Sequence, residues 1–250
     1  MLQYVTKGVG DMEKTDRLWP GGYAFVFDDT LFQPSTDSFL LGHFVRTRRG
    51  DRVCDLGAGT GLLGLLLLAR QAELSVTDME IQEAACDLAR RSAERNGLTH
   101  RITVLQQDLC RLDQLPRSAF DVVVTNPPYF SADRGAASPD PARSAARSEI
   151  RCTLEDVCAA ADHLLRYGGH FFLVFRPDRM AELFALLQKY RLEPKRLRFV
   201  QHNAGSAPSL LLLECRKGGK TGLTVEPPLL LKNPDGRDTA EANQVYFRDR

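Results

Sequence analysis

Val53-Cys54-Asp55-Leu56-Gly57-Ala58-Gly59-Thr60-Gly61 runs directly into Leu62-Leu63-Gly64-Leu65-Leu66-Leu67-Leu68, and no other stretch constrains the fold as strongly. It reads as strand, glycine loop and apolar helix. Glycines accept positive φ and let the backbone approach a ligand closely. A loop of this kind at a helix N-terminus is how open parallel sheets hold dinucleotide-type cofactors. A glycine-rich turn alone is a weak signal, so the strands that follow carry much of the argument. Leu74–Glu80 is a second strand pattern, ending in carboxylates placed for ribose hydroxyls. Glu80 is preferred over Asp78, because it stands at the strand end immediately before a helix starting near Gln82. Ile102–Asp108 is a third strand pattern with a terminal acid. Asp108, next to Leu109, is placed to accept from an adenine amine.

The fourth strand pattern, Phe120-Asp121-Val122-Val123-Val124-Thr125, ends in Asn126-Pro127-Pro128-Tyr129. Proline fixes its own φ and restricts the residue before it. Neither proline has an N–H, so the turn presents acceptors. The Asn126 side-chain oxygen and the Pro127 carbonyl can both accept from one planar NH2 group. Tyr129 supplies a face on which a base can stack. Read alone, the turn is also an ordinary strand ending. Four strands in succession, each ending in polar chemistry, describe a ligand crevice at the carboxyl edge of a parallel sheet.

Asp55–Gly61 resembles the cofactor loop of class I S-adenosylmethionine-dependent methyltransferases. Asn126–Tyr129 resembles the catalytic motif of the branch that methylates amines. Phe32–Leu41, Ala145–Ile150, Leu197–Val200 and Pro227-Pro228-Leu229 narrow the likeness. From about Leu18 to its end the chain is similar to the bacterial tRNA(Val) adenine-N6 methyltransferase family. The resemblance implies an α/β fold: a seven-stranded, mostly parallel, doubly wound sheet with an antiparallel edge strand. It implies S-adenosylmethionine as cofactor, S-adenosylhomocysteine as product, and tRNA as the partner, methylated beside the anticodon. Its cofactor contacts are then Asp55, Gly57, Ala58, Gly59, Gly61, Glu80, Asp108 and Leu109. Asn126, Pro127, Pro128 and Tyr129 are its catalytic set. One departure is Asp78-Met79-Glu80, where two acids compete for the ribose.

A chain of 250 residues, 43% hydrophobic and 26% charged, is sized for one large soluble domain. No apolar run approaches the ~20 residues needed to span a bilayer, and the N-terminus carries no signal-like segment. Six cysteines are scattered without a Cys-x-x-Cys pair, a spacing that argues against a zinc site or a secreted disulfide framework. The expectations are a cytoplasmic protein and no metal; the oligomeric state stays open. Net charge is +1, but residues 1–130 carry −3 and residues 131–250 carry +4. The basic half suits a polyanion, and a solvated mixed surface accounts for it equally well.

Residues 1–48 are expected to be an arm, a small hairpin and a helix covering the cofactor site, and residues 49–250 the methyltransferase domain. Residues 1–17 read as a loose arm. Tyr23–Phe27 and Leu31-Phe32 read as a hairpin turning at Asp28-Asp29. A helix with apolar face Phe39–Val45 starts at Pro34–Asp37. Its Thr36 and Asp37 are candidate contacts for the methionine end of the cofactor, and a plain helix cap explains either residue as well. Further helices are expected at 81–95, ending at Asn96-Gly97, at 153–166, and from near Asp178. Further strands are expected at 170–176, near 196–202 and near 209–215, the last two as an antiparallel hairpin. Residues 131–148 read as a mobile functional loop. Arg143, Arg147, Lys195 and Arg196 are candidate RNA contacts, along with Arg134, Arg151, Arg198, Lys217 and Lys220. For any one of them a solvent-facing charge is the simpler explanation.

Adenine N6 is a poor nucleophile, because its lone pair is delocalised into the ring. Two acceptors holding its hydrogens stabilise the transition state more than the ground state, and no strong general base is required. The target base must leave its stack. Release-factor glutamine methyltransferases use the same turn but carry a preceding helical domain, and about fifty residues precede the first sheet strand here. DNA adenine methyltransferases usually carry a recognition domain for which little chain remains. An NAD-dependent oxidoreductase would share the loop but not Asn126–Tyr129. A silent RNA-binding module would not need the intact turn.

Overall fold

The structure is a computed structural model describing residues 6–7, 13–28, 35–127 and 152–250. Three strands, β1 (Thr6–Lys7), β2 (Glu13–Arg17) and β3 (Ala24–Asp28), form a small antiparallel sheet in that order. Helix α1 (Thr36–Phe44) leads into the main body. There follow β4 (Arg52–Leu56), α2 (Leu62–Arg70), β5 (Ser75–Glu80), α3 (Glu83–Arg95), β6 (Ile102–Gln106) and β7 (Phe120–Thr125). The chain continues through α4 (Leu154–Leu164), β8 (Leu165–Phe175), α5 (Met180–Lys189), β9 (Leu192–Gln201) and β10 (Leu210–Lys217). It ends with β11 (Thr224–Val225), β12 (Leu229–Leu230) and α6 (Ala240–Val245).

The large sheet has the order β11-β9-β10-β8-β7-β4-β5-β6, with β12 also pairing with β9. β4 runs parallel to β5 and β7, β5 to β6, and β7 to β8, whereas β10 is antiparallel to β8 and β9. The fold class is the expected one. Among the described residues the large sheet counts nine strands rather than seven, because the two-residue β11 and β12 attach to β9. Elements that short leave no periodicity to read. The antiparallel strand β10 lies inside the sheet, between β8 and β9, rather than at its edge.

Apolar residues on both sides of the sheet explain why its central strands read as continuous hydrophobic runs. Val122 and Val124 of β7 join a core with α1 and the leucines of α2. Val123, between them, joins the opposite core with Leu154–Leu164 of α4 and Leu183 and Leu187 of α5. The described part of residues 1–48 is continuous with the first core through Leu18, Phe25, Phe27, Phe39 and Phe44. Side chains of α3 also secure β3: Ser92 Oγ accepts from Val26 N–H at 2.9 Å, and Asn96 Oδ1 from Ala24 N–H at 2.8 Å.

Two local readings change. Part of the expected loose arm is β2, which pairs with β3; the expected partner Leu31-Phe32 lies outside the described residues. The polar sequence Glu13-Lys14-Thr15-Asp16-Arg17 hid a strand that its partner holds. Strand β8 begins at Leu165, ahead of Gly168-Gly169, because a register shift against β7 between Phe120 and Val122 absorbs the glycines. Among the described residues, no helix is long and apolar enough to cross a membrane.

Candidate active site

The carboxyl ends of β4, β5, β6 and β7 carry the candidate residues to one edge of the sheet. The chain order reverses at β4, which has β5 on one side and β7 on the other, and this is where such sheets open a crevice. The loop after β4 bends through three glycines with positive φ: Gly57 at 69°, Gly59 at 55° and Gly61 at 75°. Gly57 and Ala58 donate their N–H groups to Met79 O at 2.9 and 3.0 Å, tying the loop to the end of β5. Gly61 then starts α2. A Cβ there would lie 2.8 Å from Asp78 Oδ2, so glycine is required by both conformation and space.

The two competing acids occupy different places. Glu80 Oε2 accepts from Gly59 N–H at 2.9 Å, and Oε1 accepts from Ile81 and Gln82 N–H at 2.9 and 3.0 Å. A carboxylate offers about four acceptor positions, so Glu80 keeps capacity beside the glycine loop. Asp78 is 1% exposed and lies beneath α2, where a Cβ on Gly64 would come within 2.7 Å of its Oδ1. That oxygen is buried without a partner. Burial raises the Asp78 carboxyl to about 7. Asp55, its register partner on β4, is also pushed well up, first by burial and then by the charges of Asp78 and Glu80. Asp78 is thus walled off behind the loop, whereas Glu80 borders it.

Asn126 follows β7 directly. Thr125 Oγ donates to Leu56 O at 2.8 Å, fixing the end of β7 against the residue before Gly57. Asn126 Nδ2 donates to Ser35 Oγ at 3.0 Å and Ser38 Oγ at 3.1 Å. Among the described residues nothing donates to Asn126 Oδ1, so the amide is held by its nitrogen and keeps its oxygen as an acceptor. Reading the sequence missed Ser35 and Ser38 as site residues. Their i, i+3 spacing at the start of α1, which sets both hydroxyls on one face, was the available signal. Pro127 is described and buried. Pro128 and Tyr129 lie outside the described residues, as do Arg134, Arg143, Arg147, Arg151 and the expected loop at 131–148.

The remaining candidates separate. Asp108 Oδ1 accepts from Cys110 N–H at 2.9 Å, and Leu109 is partly buried against the α4–α5 core. Thr36 and Asp37 line a cleft of about 550 Å³ with Leu40, Arg176, Pro177 and Ser209. The other walls of this cleft come from the ends of β8, β9 and β10. Lys195 and Arg196 lie within β9, not in a loop. Lys195 Nζ donates to Lys220 O at 2.6 Å. Arg196 is corrected from an RNA contact to an internal residue, because it is only 8% exposed. It pairs with Glu214 at 2.8 Å, donates to Phe44 O at 2.7 Å, and stacks 3.8 Å from the Phe44 ring.

The carboxylate at the end of β5, the amide-rich loop facing it and the acid after β6 together fit an adenosyl cofactor. Residues 26–192 match the family described as "Methyltransferase small domain". The chain is 30% identical over 240 residues to a tRNA1(Val) (adenine(37)-N6)-methyltransferase of Tolumonas auensis, covering 91% of this chain and 98% of that protein. It is 32% identical over 210 residues to the protein of the same name from Cronobacter sakazakii, covering 83% and 84%. A solved structure of a predicted O-methyltransferase from Agrobacterium tumefaciens superposes with a TM-score of 0.70 at 26% identity, covering 84% of this chain and 95% of that one. Geranyl diphosphate C-methyltransferase from Streptomyces coelicolor, solved with S-adenosyl-L-homocysteine, shares the fold at a TM-score of 0.52 and 13% identity.

Proposed function

The chain belongs to the methyltransferase small domain family, and on that premise we propose that it methylates N6 of adenine 37 in tRNA1(Val), as its relatives are named to do. It is an S-adenosylmethionine-dependent enzyme of the class I fold, and we place it in the cytoplasm with its tRNA substrate. When bound, the cofactor supplies a methyl group already activated on a sulfonium. Glu80 and the Gly57–Gly61 loop hold the ribose end, with Asp108 toward the adenine.

The observation that carries this reading is the fixed amide of Asn126. Its nitrogen is anchored on Ser35 and Ser38, and its oxygen remains an acceptor at the end of β7. Oδ1 and the Pro127 carbonyl accept the two N6 hydrogens of the target adenine. The nitrogen's lone pair is thereby freed from the ring as charge develops, which is stabilisation confined to the transition state. Tyr129 stacks on the flipped base. The cleft lined by Thr36, Asp37, Arg176 and Ser209 starts at the residue after Ser35 and receives the neighbouring nucleotide. Arg143, Arg147 and Lys195 contribute phosphate contacts.

The test is methyl transfer from labelled S-adenosylmethionine to three acceptors: total tRNA from a host lacking the activity, duplex DNA, and a glutamine-containing release-factor peptide. Transfer to tRNA alone supports the proposal. Transfer to DNA or peptide with none to tRNA refutes it.

A further inference from the structure

The fold brings Cys110, after β6, beside Cys152 and Asp156 at the start of α4. Each offers one ligand atom, and these atoms all lie within 4.8 Å of one another. A tetrahedral ion with Zn–S bonds near 2.3 Å sets its ligand atoms about 3.8 Å apart, so small adjustments close this group around a cation. The surroundings already fix the carboxylate and the backbone of one cysteine, as outer contacts do in metal sites. Asp156 Oδ2 accepts from Thr153 N–H at 2.8 Å and Thr153 Oγ at 2.6 Å, a capping box that fixes the carboxylate. Asp108 Oδ1 accepts from Cys110 N–H at 2.9 Å and fixes the other strand-end segment. Cys110 is exposed, and Cys152 and Asp156 are partly so, which provides an entry path and room for water as fourth ligand.

We propose that Cys110, Cys152 and Asp156 form a binding site for a zinc-class divalent cation, tying the turn after β6 to the first turn of α4. Two sulfur ligands select soft or borderline ions over magnesium or calcium. The scattered cysteine spacing concealed the site, because its halves are remote in sequence and meet only in the fold. The site also touches the cofactor region: Asp108 bonds the backbone of Cys110, so occupancy is expected to change cofactor affinity. Ligand deprotonation on binding releases protons to solvent.

The test uses the full chain, purified with reductant and stripped of metal. It is then given Zn²⁺, desalted and assayed for retained zinc. Wild type is expected to retain about one equivalent. The Cys110→Ser/Cys152→Ser variant and Asp156→Asn are each expected to bind at least ~10-fold more weakly. Co²⁺ as a spectroscopic probe should give a thiolate charge-transfer band in wild type that is absent from the double variant. Circular dichroism of the metal-free proteins checks folding. If the double variant is misfolded, Cys110→Ser alone and the cobalt band of wild type decide. No retained zinc in wild type overturns the proposal, as does zinc retention unchanged by the substitutions. A Cys110–Cys152 disulfide in the reduced preparation also overturns it.

Discussion

Asn126 Nδ2 donates to Ser38 Oγ at 3.1 Å, linking positions 88 residues apart in sequence. Through this contact and its neighbour on Ser35, the first turn of α1 sets the orientation of an amide on the far side of the sheet's switch point. Ser38 is 4% exposed, so the contact is shielded from competing water.

Asn126→Ala is expected to lower the single-turnover rate by about 100-fold or more, the usual loss for one preorganised transition-state contact. Cofactor affinity should change little, because the oxygen serves the substrate amine. Rapid-quench kinetics alongside calorimetry check both halves, and a near-wild-type rate would remove Asn126 from the mechanism.

Ser38→Ala removes one of two anchors and leaves the amide held by Ser35 alone. A fall in kcat of about 3- to 10-fold is expected, from the ~1 kcal/mol of a net hydrogen bond, with KM for the cofactor unchanged. An effect on cofactor KM alone would place Ser38 outside the acceptor network.

Much of this arrangement was legible in the sequence. The glycine loop, the acids ending β5 and β6, and the turn after β7 each carry their chemistry in local order, and parallel strands bring their carboxyl ends together by topology. Ser35 and Ser38 were not recognised, because their partner is remote in sequence. Arg196 was misread for the opposite reason: its charge looked solvent-facing, and only the sheet shows Glu214 beside it and Phe44 over it. Strand β2 escaped because its polar sequence Glu13–Arg17 displays no apolar alternation, although it is the central strand of the small sheet.

Glu80→Ala is expected to weaken S-adenosylmethionine binding more than Asp78→Ala, since Glu80 borders the loop and Asp78 lies behind it. Calorimetry on the two variants checks the order, and a larger loss for Asp78→Ala would move the ribose to that residue.

Burial lifts the Asp78 carboxyl from 3.8 to about 7. The folded chain therefore keeps a proton that the unfolded chain has already lost. This contribution to stability is full below about pH 4 and disappears as pH rises through about 7. Relative to wild type, Asp78→Asn should gain stability progressively across that window and level off above it. Denaturant midpoints from pH 4 to 8 check the trend, and a difference independent of pH would contradict it.

Arg196→Ala is expected to cost about 1–3 kcal/mol of stability, since it leaves the buried Glu214 carboxylate with His170 as its remaining partner. Lys195→Glu should leave stability nearly unchanged and weaken tRNA binding in a salt-dependent way. Urea titration and filter binding at two ionic strengths separate the two, and weaker tRNA binding by a stably folded Arg196→Ala protein would return Arg196 to the RNA surface.

The most direct measurement of the central claim compares tRNA1(Val) transcripts bearing adenine or guanine at position 37. Each is incubated with enzyme and isotope-labelled S-adenosylmethionine, digested and sequenced by tandem mass spectrometry. The expected result is one labelled N6-methyladenosine at position 37 of the first transcript and no label in the second. Label at another position, on another atom of adenine 37, or equally in the guanine transcript would contradict the account.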